Sequence, residues 1–137
     1  MRTETIDYER EGFKASLVIS EASSLVSIRR IRMYNHGQES GETDIDRLAL
    51  RLYVYPDLLA ASVEGSISIG VKEFQAGTTN WIPFEEFANE IPDEFLIRWE
   101  NAVYNTNPSW IPRRADDPKG ESESQTLPAD SPSTSTP

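Results

Sequence analysis

Cysteine is missing from the 137 residues and histidine occurs once, at His36. The first absence removes disulfides and thiolate metal sites and fits a reducing compartment. Together the two leave a zinc site without ligands. A Ser-His or Cys-His mechanism would rest on a histidine beside Gly37, at the expected end of a helix, where a surface capping role suits it better. No apolar run approaches the roughly 20 residues of a bilayer-spanning helix, and Met1–Thr5 lacks the apolar stretch of a secretory signal. A soluble, cytoplasmic protein is expected. Positive charge is scarce too: 13 Lys and Arg face 23 Asp and Glu, a net charge of −10. Such an excess disfavours nucleic acid and anionic membranes, where neutralising phosphate dominates affinity.

Aromatic residues are absent from the last part of the chain. All three Trp, five Tyr and five Phe precede Pro112, and beyond it the only large apolar residue is Leu127. Twelve of the 25 residues from Arg113 to Pro137 are Pro, Ser or Thr. That composition does not offset an ordering entropy of about 1–2 kcal/mol per residue. The expected organisation is one folded domain over 1–112 and a disordered tail over 113–137. Ten basic against eighteen acidic residues put −8 on the first part, and three against five put −2 on the tail.

What is present reads mostly as helix. Over 5–19, Ile6 and Tyr8, then Phe13, Ala15, Leu17 and Ile19, alternate with polar residues in the period of a strand pair, with Glu11-Gly12 as the turn. A helix is expected over 21–34 from Leu25, Ile28 and Ile31, stopped at Asn35-His36-Gly37. Over 44–64, Ile45, Leu48, Ala49, Leu52, Tyr55, Leu59 and Val63 recur in steps of three and four. Asp44 serves as the cap there, Pro56 as a kink or restart, and Gly65 as the end. Residues 66–76 are ambiguous between strand and linker, because Ile67, Ile69 and Val71 alternate. Two helices close the domain, one opening at Pro83 and one over 92–105 with Phe95, Leu96, Trp99, Ala102 and Val103 as its stripe; Asn107-Pro108 stops it. The expected fold class is therefore mainly α with a small N-terminal β-hairpin, a compact helical domain followed by the tail.

No catalytic constellation assembles. Glu85, Glu86, Asp93 and Glu94 occupy first helical turns, where the macrodipole favours acids. Asp44 and Asp46 point to different helix faces, and no calcium-loop spacing is present. Gly65-Ser-Ile-Ser-Ile-Gly70 lacks the lysine and third glycine of a phosphate loop. Arg29, Arg30 and Arg32 form the only basic cluster and, with Leu25, Ile28 and Ile31, an amphipathic helix suited to salt bridges or an acidic partner. The reading is a non-enzymatic protein-binding module without cofactor or metal. A groove between amphipathic helices takes a partner helix by its apolar face. The candidates are Leu52, Tyr53, Tyr55, Leu58 and Leu59 of the central helix and Phe95, Trp99 and Val103 of the last. Most of these serve equally well as core; Tyr53, Leu58 and Trp110 lie partly off the stripe and are the expected exposed contacts.

Three stretches carry a resemblance: Glu4–Tyr34, Leu48–Val63 and Trp81–Trp110. They combine a short strand pair, a Ser-Glu-x-Ser-Ser-Leu start into an Ile/Arg-rich helix, a long amphipathic helix, and Ile91-Pro92 leading to Phe95, Trp99 and Val103 before Asn107-Pro108. The chain thereby resembles the tail assembly chaperones of long, non-contractile-tailed phages, the lambda type included. The likeness lies in apolar spacing and caps, with no chemical signature. It implies a partner, the long apolar helical tape measure protein, kept soluble until the tail tube forms around it. It also implies a place in the host cytoplasm and absence from the finished virion. A ribosomal frameshift near the end of the gene adds a domain that recruits the tube protein in many such phages, and Pro118-Lys119-Gly120 lies where a slip would fall. Self-association is left open. The competing expectations are an acidic neutraliser or adaptor of antitoxin type and a structural tail-completion or connector protein.

Overall fold

The computed structural model describes residues 1–111; the expected tail, and the slip point within it, lie outside the described residues. The chain opens with β1 (Thr3–Arg10) and β2 (Phe13–Ser20), paired antiparallel through the expected Glu11-Gly12 turn. Helices α1 (Ser24–Gln38), α2 (Ile45–Tyr53) and α3 (Tyr55–Ala61) follow. Then come β3 (Ser62–Ile69), β4 (Lys72–Gln75), α4 (Phe84–Glu90), α5 (Asp93–Thr106) and a 3₁₀ turn, Pro108–Trp110.

The four strands form one antiparallel sheet in the order β1-β2-β3-β4. This corrects the mainly helical expectation: the fold is α+β, and the N-terminal hairpin is half of a larger sheet. The correction has a local cause. Apolar residues at steps of three and four run through Leu59 to Val63, but helix geometry ends at Ala61, and Ser62 turns into extended backbone. From there Ile67 and Ile69 pair with Ala15 and Phe13. A half-buried strand needs only alternate apolar positions and a neighbour to bond with, and β2, with a polar residue at every second place up to Val18, offers it an edge.

Gly65, expected to end a helix, is inside β3 at φ +110, opposite Leu17. A Cβ at this position would collide with the Ser16 carbonyl oxygen and the Leu17 backbone, so the close approach of β3 to β2 at this point depends on glycine. Gly37 is also reassigned. The helix runs through it to Gln38, and its missing side chain admits Leu52, whose Cδ2 would stand 3.1 Å from an added Cβ. Pro56 does restart the chain as anticipated, in the first turn of α3.

One face of the sheet is apolar, with Phe13, Ala15, Leu17, Ile19, Ile67 and Phe74 buried; the other carries residues such as Asp7, Lys14 and Glu73. Helices α3 and α5 lie over the apolar face. Trp99 is the centre of the core, with ring centroids 5.4 Å from Phe95, 5.7 Å from Phe87 and 6.1 Å from Trp81. Its indole N–H donates to Ser62 Oγ at 2.8 Å, and that hydroxyl donates to the Leu58 carbonyl at 2.6 Å, so the buried polar atoms are satisfied. Asn107 does more than stop α5. Its amide donates to the carbonyls of Ser20 and Val103, and its oxygen accepts from Ala22 N–H at 2.8 Å. That ties the end of the last helix to the strand-to-helix junction where α1 begins.

Candidate functional site

Helix α1 is set by this junction, by the Ser23 hydroxyl accepting from Val26 N–H, and by a narrow line of packing. Of its fifteen residues only Val26 and Gly37 are buried. At 100° per residue, Val26, Met33 and Gly37 share the side turned to α2 and α3. The opposite side carries Leu25, Ile28 and Ile31, exposed by 67%, 56% and 50%. These were expected to make α1 amphipathic; the structure turns that apolar row outward. Helix α2 repeats the pattern: Asp44 caps it, accepting from Arg47 N–H, yet none of its residues is buried, and Ile45 stands clear of the protein. A pair of helices thus leaves large branched side chains in water beside a well-filled core, which is where partner surfaces occur.

Between α1 and the α2–α3 corner lies an open groove of about 270 Å³, walled by Ile31, Tyr34, Leu52, Tyr53 and Pro56 with Trp110 at its floor. The Tyr34 and Tyr53 ring centroids are 6.4 Å apart. The volume falls short of the roughly 300–1,000 Å³ of a small-molecule site and suits one or two inserted side chains.

Arg30 and Asp57 also line the groove and belong to a polar cluster with Tyr104. Asp57 is buried; its Oδ1 accepts from Arg30 Nε at 2.6 Å and its Oδ2 from Tyr104 O–H at 2.8 Å. Burial raises the Asp57 carboxyl above its ordinary range, against the lowering effect of Arg30 and Tyr104. Burial, and then the Asp57 charge, lifts the Tyr104 hydroxyl well above its own ordinary value. Arg30 is held from the other side by the Trp110 ring, 4.4 Å from its centroid. Both oxygens of the one buried carboxylate among the described residues are therefore engaged, one with Arg30 of α1 and one with Tyr104 of α5. No group of three His, Asp or Glu among the described residues converges on a metal position, and no helix there is long and apolar enough to cross a membrane.

Of the nine residues expected to contact a partner, Leu52, Tyr53 and Trp110 come together at the groove. Tyr53 is half-exposed, as expected; Trp110 is buried beneath Arg30, and Leu58 is fully buried, so neither is an exposed contact. Leu58 fails because the kink at Pro56 turns α3 onto the sheet, which buries every one of its residues from Pro56 onward. Leu59, Phe95, Trp99 and Val103 are core. Tyr55 packs on Phe84 and Phe87 at 5.3 and 5.1 Å and donates to the Ile82 carbonyl, with burial pushing its hydroxyl up to about 12. The residues missing from the expected set are Leu25, Ile28, Ile31 and Tyr34. Their signal was in the sequence, three apolar residues at steps of three among three arginines, but periodicity gives a face without saying which way it points.

Compared with protein-family models, curated proteins and solved structures, the chain matches none.

Proposed function

We propose that this chain is a non-enzymatic tail assembly chaperone that holds the apolar helices of a long tape measure protein in solution while a phage tail tube is assembled. The observation that carries the proposal is the outward row Leu25, Ile28 and Ile31 running into the Tyr34/Tyr53 groove. A helical client can cover such a row and seat a side chain in the groove. A client with many similar helical segments needs only modest affinity at each, since many copies along one chain act together. The resemblance in apolar spacing over Glu4–Tyr34, Leu48–Val63 and Trp81–Trp110 supplies the identity of the client. On this reading the protein works in the host cytoplasm, is absent from the finished particle, and meets the tube protein through a frameshifted, longer product.

The antitoxin-like alternative is less well supported. Mimicry of nucleic acid needs a concentrated acidic surface, whereas the exposed apolar row is interleaved with arginine. The test begins at the locus: a very long, helical reading frame directly downstream is expected. Co-expression should raise the soluble yield of that protein, and the yield should fall back when Ile28 and Ile31 are both changed to Asp. An unchanged yield with a normally folded chain would remove the chaperone reading.

A further inference from the structure

We propose that the outward face of α1 selects amphipathic helices whose apolar row is flanked by acidic residues, on the side lying away from the groove. This rests on the reading of the site as a helix-binding surface and adds the charge of its partner. Helix α1 contains Arg29, Arg30 and Arg32 and no Asp or Glu, in a chain of net charge −10. Arg30 is already committed to Asp57 at 2.6 Å. Arg29 and Arg32 are exposed, and no acid among the described residues pairs with either.

Helix geometry fixes where those two charges stand. Taking Val26 as the direction of packing, Ile31 and Tyr34 turn toward the groove side, with Ile28 opposite Val26. On the flank away from the groove, Arg32 falls between Ile28 and Leu25, and Arg29 lies just beyond Leu25. Their surroundings agree: Ile31 and Tyr34 line the groove, whereas Arg32 borders a hollow with His36 and Arg51, and Arg29 one with Leu59 and Trp81. From Leu25 to Tyr34 the row is about 13 Å long at 1.5 Å per residue, two to three turns of a partner helix. A helix seated along it with a large side chain in the groove brings its own flank to Arg29 and Arg32. Acids there are attracted and lysines repelled, and a low-polarity seam beside the charges reduces screening. A second copy of the same face would bring arginine to arginine, so the occupant is a different chain.

The test uses the full chain and two synthetic helical peptides with the same leucine row at helical spacing, one flanked by Glu and one by Lys. In about 50 mM salt the Glu peptide should bind about tenfold more tightly than the Lys peptide, a few exposed charge pairs' worth of discrimination. The difference should shrink severalfold at about 0.5 M, where the Debye length drops to about 4 Å. The double variant R29E/R32E should reverse the preference with unchanged circular dichroism and melting. Equal binding of both peptides, lost in I28D/I31D, would overturn the charge selection and leave the helix-binding site standing. Binding of neither would overturn both. Sedimentation of the chain alone covers the other occupant: a dimer dissolved by I28D/I31D would place a second copy on the row and overturn the assignment.

Discussion

Arg30 lies between a buried carboxylate and an indole ring, and removing it shows what the cluster at the groove is for. In Arg30→Ala the Asp57 carboxylate keeps only Tyr104 and stays buried. Breaking one side of such a pair costs about 3–5 kcal/mol near neutral pH, which a urea midpoint reads directly. Asp57 also carries a pH signature. Its folded pKa is raised, chiefly by burial, so the native state holds this proton more tightly than the unfolded chain does. The stability it contributes is complete below about pH 3.8, the unfolded value, and declines as pH rises through the raised folded value. Asp57→Asn has no proton to lose, so relative to that variant the wild type should lose ground as pH rises above about 3.8; a parallel pair of curves would contradict the assignment. Gly65 is tested by Gly65→Ala, which forces a Cβ against the Ser16 carbonyl at a φ of +110 and should cost at least about 2 kcal/mol in the same assay. These roles were hardly legible in the sequence. Gly37 and Gly65 look like stop signals, and Asn107-Pro108 like another. What each residue does depends on a neighbour far along the chain: Leu52 for Gly37, Ser16 for Gly65, and Ser20 and Ala22 for Asn107.

At the scale of elements, the strand pair 3–20 was legible because six apolar residues alternate without interruption and glycine marks the turn. The last two helices were legible for a related reason, since proline opens each and acids fill their first turns. Strands β3 and β4 were only partly so: Ile67, Ile69 and Val71 alternate, but Val71 lies in the turn between the two strands. Their apolar content is small, the helical spacing of the central segment overruns into Val63, and what makes Ile67 and Ile69 a strand is the edge of β2, a partner some fifty residues earlier. The same limit hid the site, because a 3.6-residue period marks the apolar side of α1 whether that side meets the protein or the solvent. Burial separates the two, and so does mutation. Ile28→Asp and Ile31→Asp should change stability by no more than about 0.5 kcal/mol while abolishing capture of a helical client. Trp99→Ala, at the centre of the core, should cost about 3–5 kcal/mol. Loss of stability in the first pair would mean that α1 is packed where the structure leaves it open.

The whole described molecule is a two-layer arrangement with unequal sides. Its sheet and the helices α3 and α5 form a saturated aromatic core, and α1 and α2 stand on it as a helical pair whose apolar residues find too little protein to cover. That asymmetry is the central claim: the core fixes a platform, and the platform presents a helix-binding face. Hydrogen exchange of the chain with and without its proposed client, a co-expressed tape measure protein, tests this most directly, because it reads the covered surface residue by residue. Protection should rise in residues 24–38 and in the Tyr53 corner, with β1, β2 and β3 unchanged. Protection centred on the polar face of the sheet, or no change in α1 in a complex that nevertheless forms, would contradict it.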